Sequence, residues 1–152
     1  MYKALDYIGY YGPEILLLLS IYSFYGKYNH LAIYLTGFAI NQVINIILKL
    51  LIKQPRPEED TKMFNLLVHH EKRISFDKYG MPSGHSQSVW YSTAFIYLAL
   101  KNNIVTSIYL LISVITMVQR LEYKAHSMPQ VIFGMLIGII VGYLFYTFVN
   151  KQ

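Results

Sequence analysis

The sequence contains no cysteine and few charged residues. Without cysteine there is no disulfide, no thiolate metal site and no cysteine nucleophile. That absence leaves the compartment open, since such a chain suits oxidising and reducing spaces alike. Charged residues make up 14% and hydrophobic residues 55% of the 152 positions, whereas soluble domains carry about 25% and 45–50%. Internal repeats and low-complexity tracts are absent. No cleavable signal peptide stands out, because Asp6 and several tyrosines follow Lys3 without a small-residue cleavage site. The net charge is +5, but the basic residues are scattered. No nucleic-acid partner is expected, and anionic lipid head groups are the better match.

What is present is a series of apolar blocks. A bilayer core about 30 Å thick takes roughly 20 apolar residues as a helix. Residues 31–52, 83–100, 104–118 and 129–149 meet or approach that length, and 13–25 does so only if 5–11 extends it. The length suits one domain, 1–152. The expectation is an all-α, integral membrane helical bundle of about five transmembrane helices, with the lipid bilayer as solvent. A polar loop, 53–81, separates the second and third segments. The turns at 27–30 and 101–103 are short, so neighbouring helices run antiparallel.

This alternation puts residues 53–81, the start of the third segment and the 120–127 connection on one membrane face. Lys27, Lys101 and Lys151 fall on the other. Raw counts of Lys and Arg favour the loop face as cytoplasmic. However, Lys49, Arg56 and Arg120 have a functional reading and the other bases there are offset by acids, so orientation stays open. The fifteen tyrosines are expected mainly as interfacial anchors. Gly134, Gly138 and Gly142 share one helix face and predict close helix packing.

Three polar clusters fall on the loop face, and each suits a phosphate. Lys49 lies in an apolar run, where it either snorkels to the interface or meets a buried anion. Arg56 stands between two prolines on an extended mount, a good phosphate clamp. In Pro82-Ser83-Gly84-His85, Ser83 is an N-cap, Gly84 permits close backbone approach, and the helix start attracts anions. Arg120 closes the fourth segment, and His126 and Gln130 open the fifth. Gln130 fits two roles: accepting from the His126 ring, or closing a capping box with Ser127. Glu58, Glu59 and Asp60 read as a solvated face. His69 and His70 do not read as a metal pair, since adjacent side chains diverge.

Lys49-x6-Arg56-Pro57, Pro82-Ser83-Gly84-His85 and Arg120-x5-His126, in that order, resemble the tripartite signature of the type 2 phosphatidic-acid phosphatase superfamily. The resemblance covers about residues 31–149. Gly80-Met81-Pro82-Ser83-Gly84-His85-Ser86-Gln87 and the glutamine at 130 look most like the dolichyl-diphosphate phosphatase branch. Gln119 and Gln130 depart from the serine and aspartate usual in the superfamily, which also usually has six helices. The resemblance implies His126 as nucleophile, His85 as general acid and base, and Gln130 holding the His126 ring. It implies Lys49, Arg56, Ser83, Gly84 and Arg120 as phosphate ligands. Three cations at the phosphate make a divalent metal unnecessary, and no cofactor is expected. The implied substrate is a polyprenyl (dolichyl) diphosphate, recycled as the lipid carrier of N-glycosylation. The alternatives are a broad lipid phosphate phosphatase acting on phosphatidate, diacylglycerol diphosphate or undecaprenyl diphosphate, or a non-catalytic lipid-phosphate binder. A dolichyl-type enzyme implies the endoplasmic reticulum membrane with a lumenal site; a bacterial one implies the inner membrane. The sequence assigns no oligomeric state.

Overall fold

Tyr11 divides what hydropathy alone would join. The computed structural model describes residues 3–57 and 76–149, so Glu58, Glu59, Asp60, His69 and His70 lie outside the described residues. Among the described residues six helices run in the order α1 (Lys3–Tyr10), α2 (Gly12–Ser23), α3 (Tyr28–Ile52), α4 (Gly84–Leu100), α5 (Asn103–Glu122) and α6 (Met128–Val149). The expected first segment is thus two elements. Pro13 supplies no N–H, and its ring would clash with the carbonyl four residues earlier. The chain therefore bends at Tyr11 (φ −92°, ψ 13°), and Pro13 sits in the first turn of a new helix.

The remaining boundaries follow local chemistry. Lys53 ends α3 in the left-handed region at φ 52° and donates its N–H to the Lys49 carbonyl. Pro55 and Pro57 follow and cannot extend a helix. Ser83 begins α4 with extended backbone, and Lys101 ends it at φ 51°. Asn102 starts α5 by accepting from the Ile104 and Val105 amides at 3.0 and 3.1 Å. In place of the expected 104–118, this cap and the later stop extend the fourth segment to Glu122.

Among the described residues three helices, α3, α5 and α6, are long and apolar enough to cross a membrane. The expected count of about five resolves into these three, a central α4 of 17 residues and a short α2 of 12. α4 is less apolar because it is surrounded by protein: it packs on α2, α3, α5 and α6. Its buried polar groups bond to those neighbours. Ser92 Oγ pairs with Tyr34 Oη at 2.7 Å, and Thr93 Oγ1 with Ser113 Oγ at 2.8 Å. Gln87 Nε2 donates to the Asn41 carbonyl and side-chain oxygen. Each such bond contributes about 0.6 kcal/mol in a membrane bundle, and together they fix α4 in rotation.

The glycine stripe sets the depth of α6. A Cβ at Gly134, Gly138 or Gly142 would run into the α4 backbone at Ser83, Gln87 or Tyr91 respectively. α6 therefore rides directly on α4. This contact holds the two helix starts together, with the Ser83 amide donating to the Gln130 carbonyl at 3.0 Å and Ser86 Oγ to the Val131 carbonyl at 2.7 Å.

The tyrosines divide. Tyr22, Tyr25, Tyr28 and Tyr97 are exposed, but Tyr34, Tyr91 and Tyr109 are fully buried in the core. Each buried phenol has a polar partner, which removes the cost of enclosing it: Ser92 for Tyr34, the Tyr34 carbonyl for Tyr91, and Ser20 for Tyr109.

Candidate active site

The end of α3, the starts of α4 and α6, the end of α5 and the α1–α2 bend meet at one end of the bundle. They enclose a cavity of about 250 Å³ whose wall includes Lys49, Arg56, Gly84, His85, Arg120 and His126. Six of the eight residues singled out from the sequence therefore share one wall. The other two lie behind it. Ser83, expected to reach a phosphoryl oxygen directly, is fully buried. Its Oγ lies 3.5 Å from the Ser86 amide in a long capping contact. Gln130 is 2% exposed and lies behind His126.

Lys49 does not snorkel. It is 4% exposed, and its Nζ donates to the Tyr79 carbonyl at 2.7 Å. The segments on either side of the polar loop are pinned together where they approach the cavity. Pro55 and Tyr79 form an isolated antiparallel bridge, and the Gly80 amide donates to the Gln54 carbonyl at 2.8 Å. This places Arg56 over His126, with Nη1 3.1 Å from Nε2 and 2.9 Å from the Ala125 carbonyl.

These bonds assign the His126 tautomer. Arginine only donates, so Nε2 must carry the lone pair. The proton is then on Nδ1, which lies 2.8 Å from the Gly80 carbonyl and 3.3 Å from Gln130 Oε1. The lone pair faces the guanidinium side of the cavity, where an anion would enter. His126 itself sits on a tight connection, its amide donating to the Arg120 carbonyl at 3.3 Å.

Burial pushes the His126 pKa well below its ordinary value of 6.5, and Arg56, Lys49, His85 and Arg120 add to the shift. The neutral ring, which holds the free lone pair, therefore survives as pH falls through 6.5. It is lost only at the lower folded-state value. By linkage, the stability due to this neutral burial is present above pH 6.5 and lost as pH falls further. NMR of nitrogen-labelled histidine in the free protein is expected to show a neutral Nδ1–H ring at pH 6.5. A half-protonated ring there contradicts this geometry.

Both roles considered for Gln130 occur together. Oε1 accepts from the Ser127 amide at 3.1 Å, as in half a capping box, while facing the His126 ring. Nε2 donates to the Pro55 carbonyl at 2.9 Å and to Gln54 Oε1 at 3.1 Å. An aspartate could supply neither donor. The glutamine thus ties the arginine-bearing segment to α6, and its amide orientation follows from those partners.

Sequence reasoning missed four contributors. The Gly80 carbonyl is the nearer acceptor for His126. Gly80 can approach this closely because a Cβ there would overlap the Gln130 carboxamide. Gln119 accepts from Arg120 Nε at 2.6 Å. Asp77 pairs with Arg56 at 2.8 Å. Tyr10 lays its ring 5.2 Å from the Arg120 guanidinium carbon, a cation–π contact, and its carbonyl lies 3.1 Å from His85 Nε2. Since a carbonyl only accepts, that nitrogen carries a proton. Nothing in the sequence marked Tyr10 among fifteen tyrosines, whereas the adjacent Gly80-Met81-Pro82 motif and the glutamine at 119 were visible and left without a role.

The sequence is similar to known proteins. The family model described as PAP2 superfamily matches residues 30–152. Dolichyldiphosphatase of Saccharomyces cerevisiae is 29% identical over 169 residues, covering 95% of this chain and 68% of its own length. Dolichyldiphosphatase 1 of Homo sapiens is 28% identical over 138 residues, covering 80% of this chain and 54% of its own length. Against the human relative, the chain therefore spans about half the relative's length. No solved structure matches. With the family match extending over most of the chain and its motifs gathered on one cavity, this membrane protein belongs to the PAP2 superfamily and is related to the dolichyldiphosphatase branch.

Proposed function

We propose that the chain is a lipid phosphate phosphatase that removes the terminal phosphate of a polyprenyl diphosphate of the dolichyl type. Membership of the PAP2 superfamily supports phosphatase chemistry on a lipid phosphate. The relatives named for dolichyl diphosphate support the narrower substrate. The observation that carries the reading is the cavity wall itself. Three cations from α3, the following segment and α5 surround two histidines at the end of a membrane bundle.

In this reading the phosphoryl group displaces Arg56 from His126 Nε2. That nitrogen attacks phosphorus, the bond to the bridging oxygen breaks, and a phosphohistidine forms. Lys49, Arg56 and Arg120, with the Gly84 amide at the α4 start, hold the phosphoryl oxygens and stabilise the charge that develops. His85 turns its Nε2–H from the Tyr10 carbonyl to the leaving oxygen, gives up that proton, and then takes one from water. The water oxygen bonds to phosphorus, the P–N bond breaks, and inorganic phosphate leaves. Gly80 and Gln130 keep the His126 proton on Nδ1. Three cations neutralise the phosphate, so the reaction needs no divalent metal. A phosphate leaving group departs with little protonation, whereas the alkoxide from a phosphatidate needs a full proton. The diphosphate is therefore the easier substrate for this site.

The chain is one catalytic domain in this proposal, with α1 part of it, and crosses the membrane several times. For a dolichyl substrate the site faces the lumen of the endoplasmic reticulum. Phosphate release by the purified protein, measured on dolichyl diphosphate, undecaprenyl diphosphate and phosphatidate with and without excess EDTA, tests the reading. The expected result is the highest kcat/KM on a polyprenyl diphosphate, unchanged by chelator. Preference for phosphatidate would move the assignment to a broad lipid phosphatase. Loss of activity in EDTA, restored by magnesium, would overturn the metal-free mechanism.

A further inference from the structure

A carboxylate already occupies the anion clamp. Asp77 Oδ1 accepts from Arg56 Nη2 at 2.8 Å and lies 3.9 Å from Lys49 Nζ. Arg56 Nε also donates to the Asp77 carbonyl at 3.2 Å. Among the described residues Asp77 is the one acid on the cavity wall. The two cations are sunk in the protein, with side chains 5% and 13% exposed, while that of Asp77 is 44% exposed at the rim. Its neighbours are anchored by the Pro55–Tyr79 bridge and the Gly80–Gln54 bond, so the carboxylate stays within reach of the clamp. Any anion that takes this edge of Arg56 must first displace it.

We infer that Asp77 is a specificity-determining residue, a resident competitor that admits doubly charged terminal phosphoryl groups and keeps phosphodiester head groups out. The inference rests on the cavity being a phosphate seat, as proposed above. A phosphodiester carries one negative charge, the same as the carboxylate it would replace. It gains no charge attraction by the exchange, and the tethered group wins by its high local concentration. A terminal phosphate near pH 7 carries close to two charges, so its exchange for Asp77 is favourable. A site facing the bilayer surface needs such discrimination, because phosphodiester lipids far outnumber the substrate there. Selectivity then comes from penalising the wrong ligand as well as from attracting the right one.

The test compares the full-length wild type with Asp77→Asn and Asp77→Glu in phosphatidylcholine vesicles containing a polyprenyl diphosphate. Phosphatidylglycerol is added as a phosphodiester competitor, and orthophosphate as a head group without lipid. Asp77→Asn keeps the shape and removes the charge. Its inhibition constant for phosphatidylglycerol is expected to tighten roughly three- to tenfold relative to wild type, the size of one partly exposed charge-assisted hydrogen bond, while its KM for the diphosphate and its inhibition constant for orthophosphate change less. Asp77→Glu keeps the charge and should retain the wild-type pattern. Inhibition constants unchanged in Asp77→Asn, equal tightening for all three ligands, or the same behaviour in both variants, would overturn the inference. A lower kcat at constant KM and constant inhibition would also overturn it, reducing Asp77 to a support for Arg56. If Asp77→Asn fails to fold, Asp77→Ser replaces it under the same criteria. Wild type that releases no phosphate at all would instead reject the enzymatic reading, and orthophosphate binding followed by phosphorus NMR would still compare the clamps.

Discussion

Replacing His126 by alanine is expected to lower phosphate release by about six orders of magnitude, the scale of loss when a covalent nucleophile is removed and binding groups remain. The size follows from the geometry. His126 Nε2 is the lone pair held by Gly80 and Gln130 on the far side of the ring and met by Arg56 on the cavity side. His85 carries its proton on Nε2, toward the Tyr10 carbonyl, and serves as the acid in this reading. The fold should survive the change. The residue sits on the short connection after α5 rather than in the packed core, where Tyr34, Tyr91 and Phe95 meet. The substitution does leave the Gly80 carbonyl without its imidazole partner, a loss of about 1 kcal/mol. Steady-state release, with thermal unfolding as control, reads both quantities. Activity within tenfold of wild type would remove His126 from the reaction.

The largest effect on stability is expected at Gly138. A Cβ there meets the Gln87 carbonyl and the Tyr91 amide of α4, and backbone atoms in the middle of a helix cannot step aside as a flexible side chain can. Gly138→Ala should cost about 3 kcal/mol, at the upper end for overpacking, and Gly138→Val more. Activity should fall with it, since the same contact aligns Ser83 with Gln130 and hence His85 with His126. Gly26 supplies the contrast. Nothing lies within 4 Å of a Cβ there, and the only penalty is its φ of +80°, about 1 kcal/mol for alanine. Thermal unfolding in detergent should therefore rank Gly138→Ala well below Gly26→Ala. The reverse order would mean that α6 does not rest on the α4 backbone.

The helices were legible because the apolar runs are long and the breakers sharp. The glycine stripe was legible because spacing four puts small residues on one face whatever the neighbour. The bend at Tyr11 was harder: Pro13 is tolerated in a first helical turn, so the same residues fit one extended segment or two helices. The tyrosines split for a reason invisible in one dimension. A phenol anchors at an interface or closes a core according to whether a serine or carbonyl from another helix stands opposite, as Ser92 does for Tyr34. In the candidate site the charged side chains were recognisable by type and order. The Gly80 and Tyr10 carbonyls were not, because every residue has a carbonyl and only the fold selects which one meets a histidine. Gln130 was legible as an either-or, and the structure resolves it by giving one side chain both partners. Asp77 escaped notice because an acid in a polar loop usually faces water.

Rapid quenching of the purified protein during turnover of a polyprenyl diphosphate labelled in its terminal phosphate tests the account most directly. The label should appear on the protein in an acid-labile, base-stable bond, map to residue 126, and be absent from the His126→Ala variant. Full turnover with label never reaching the protein, or reaching it at another residue, would contradict it.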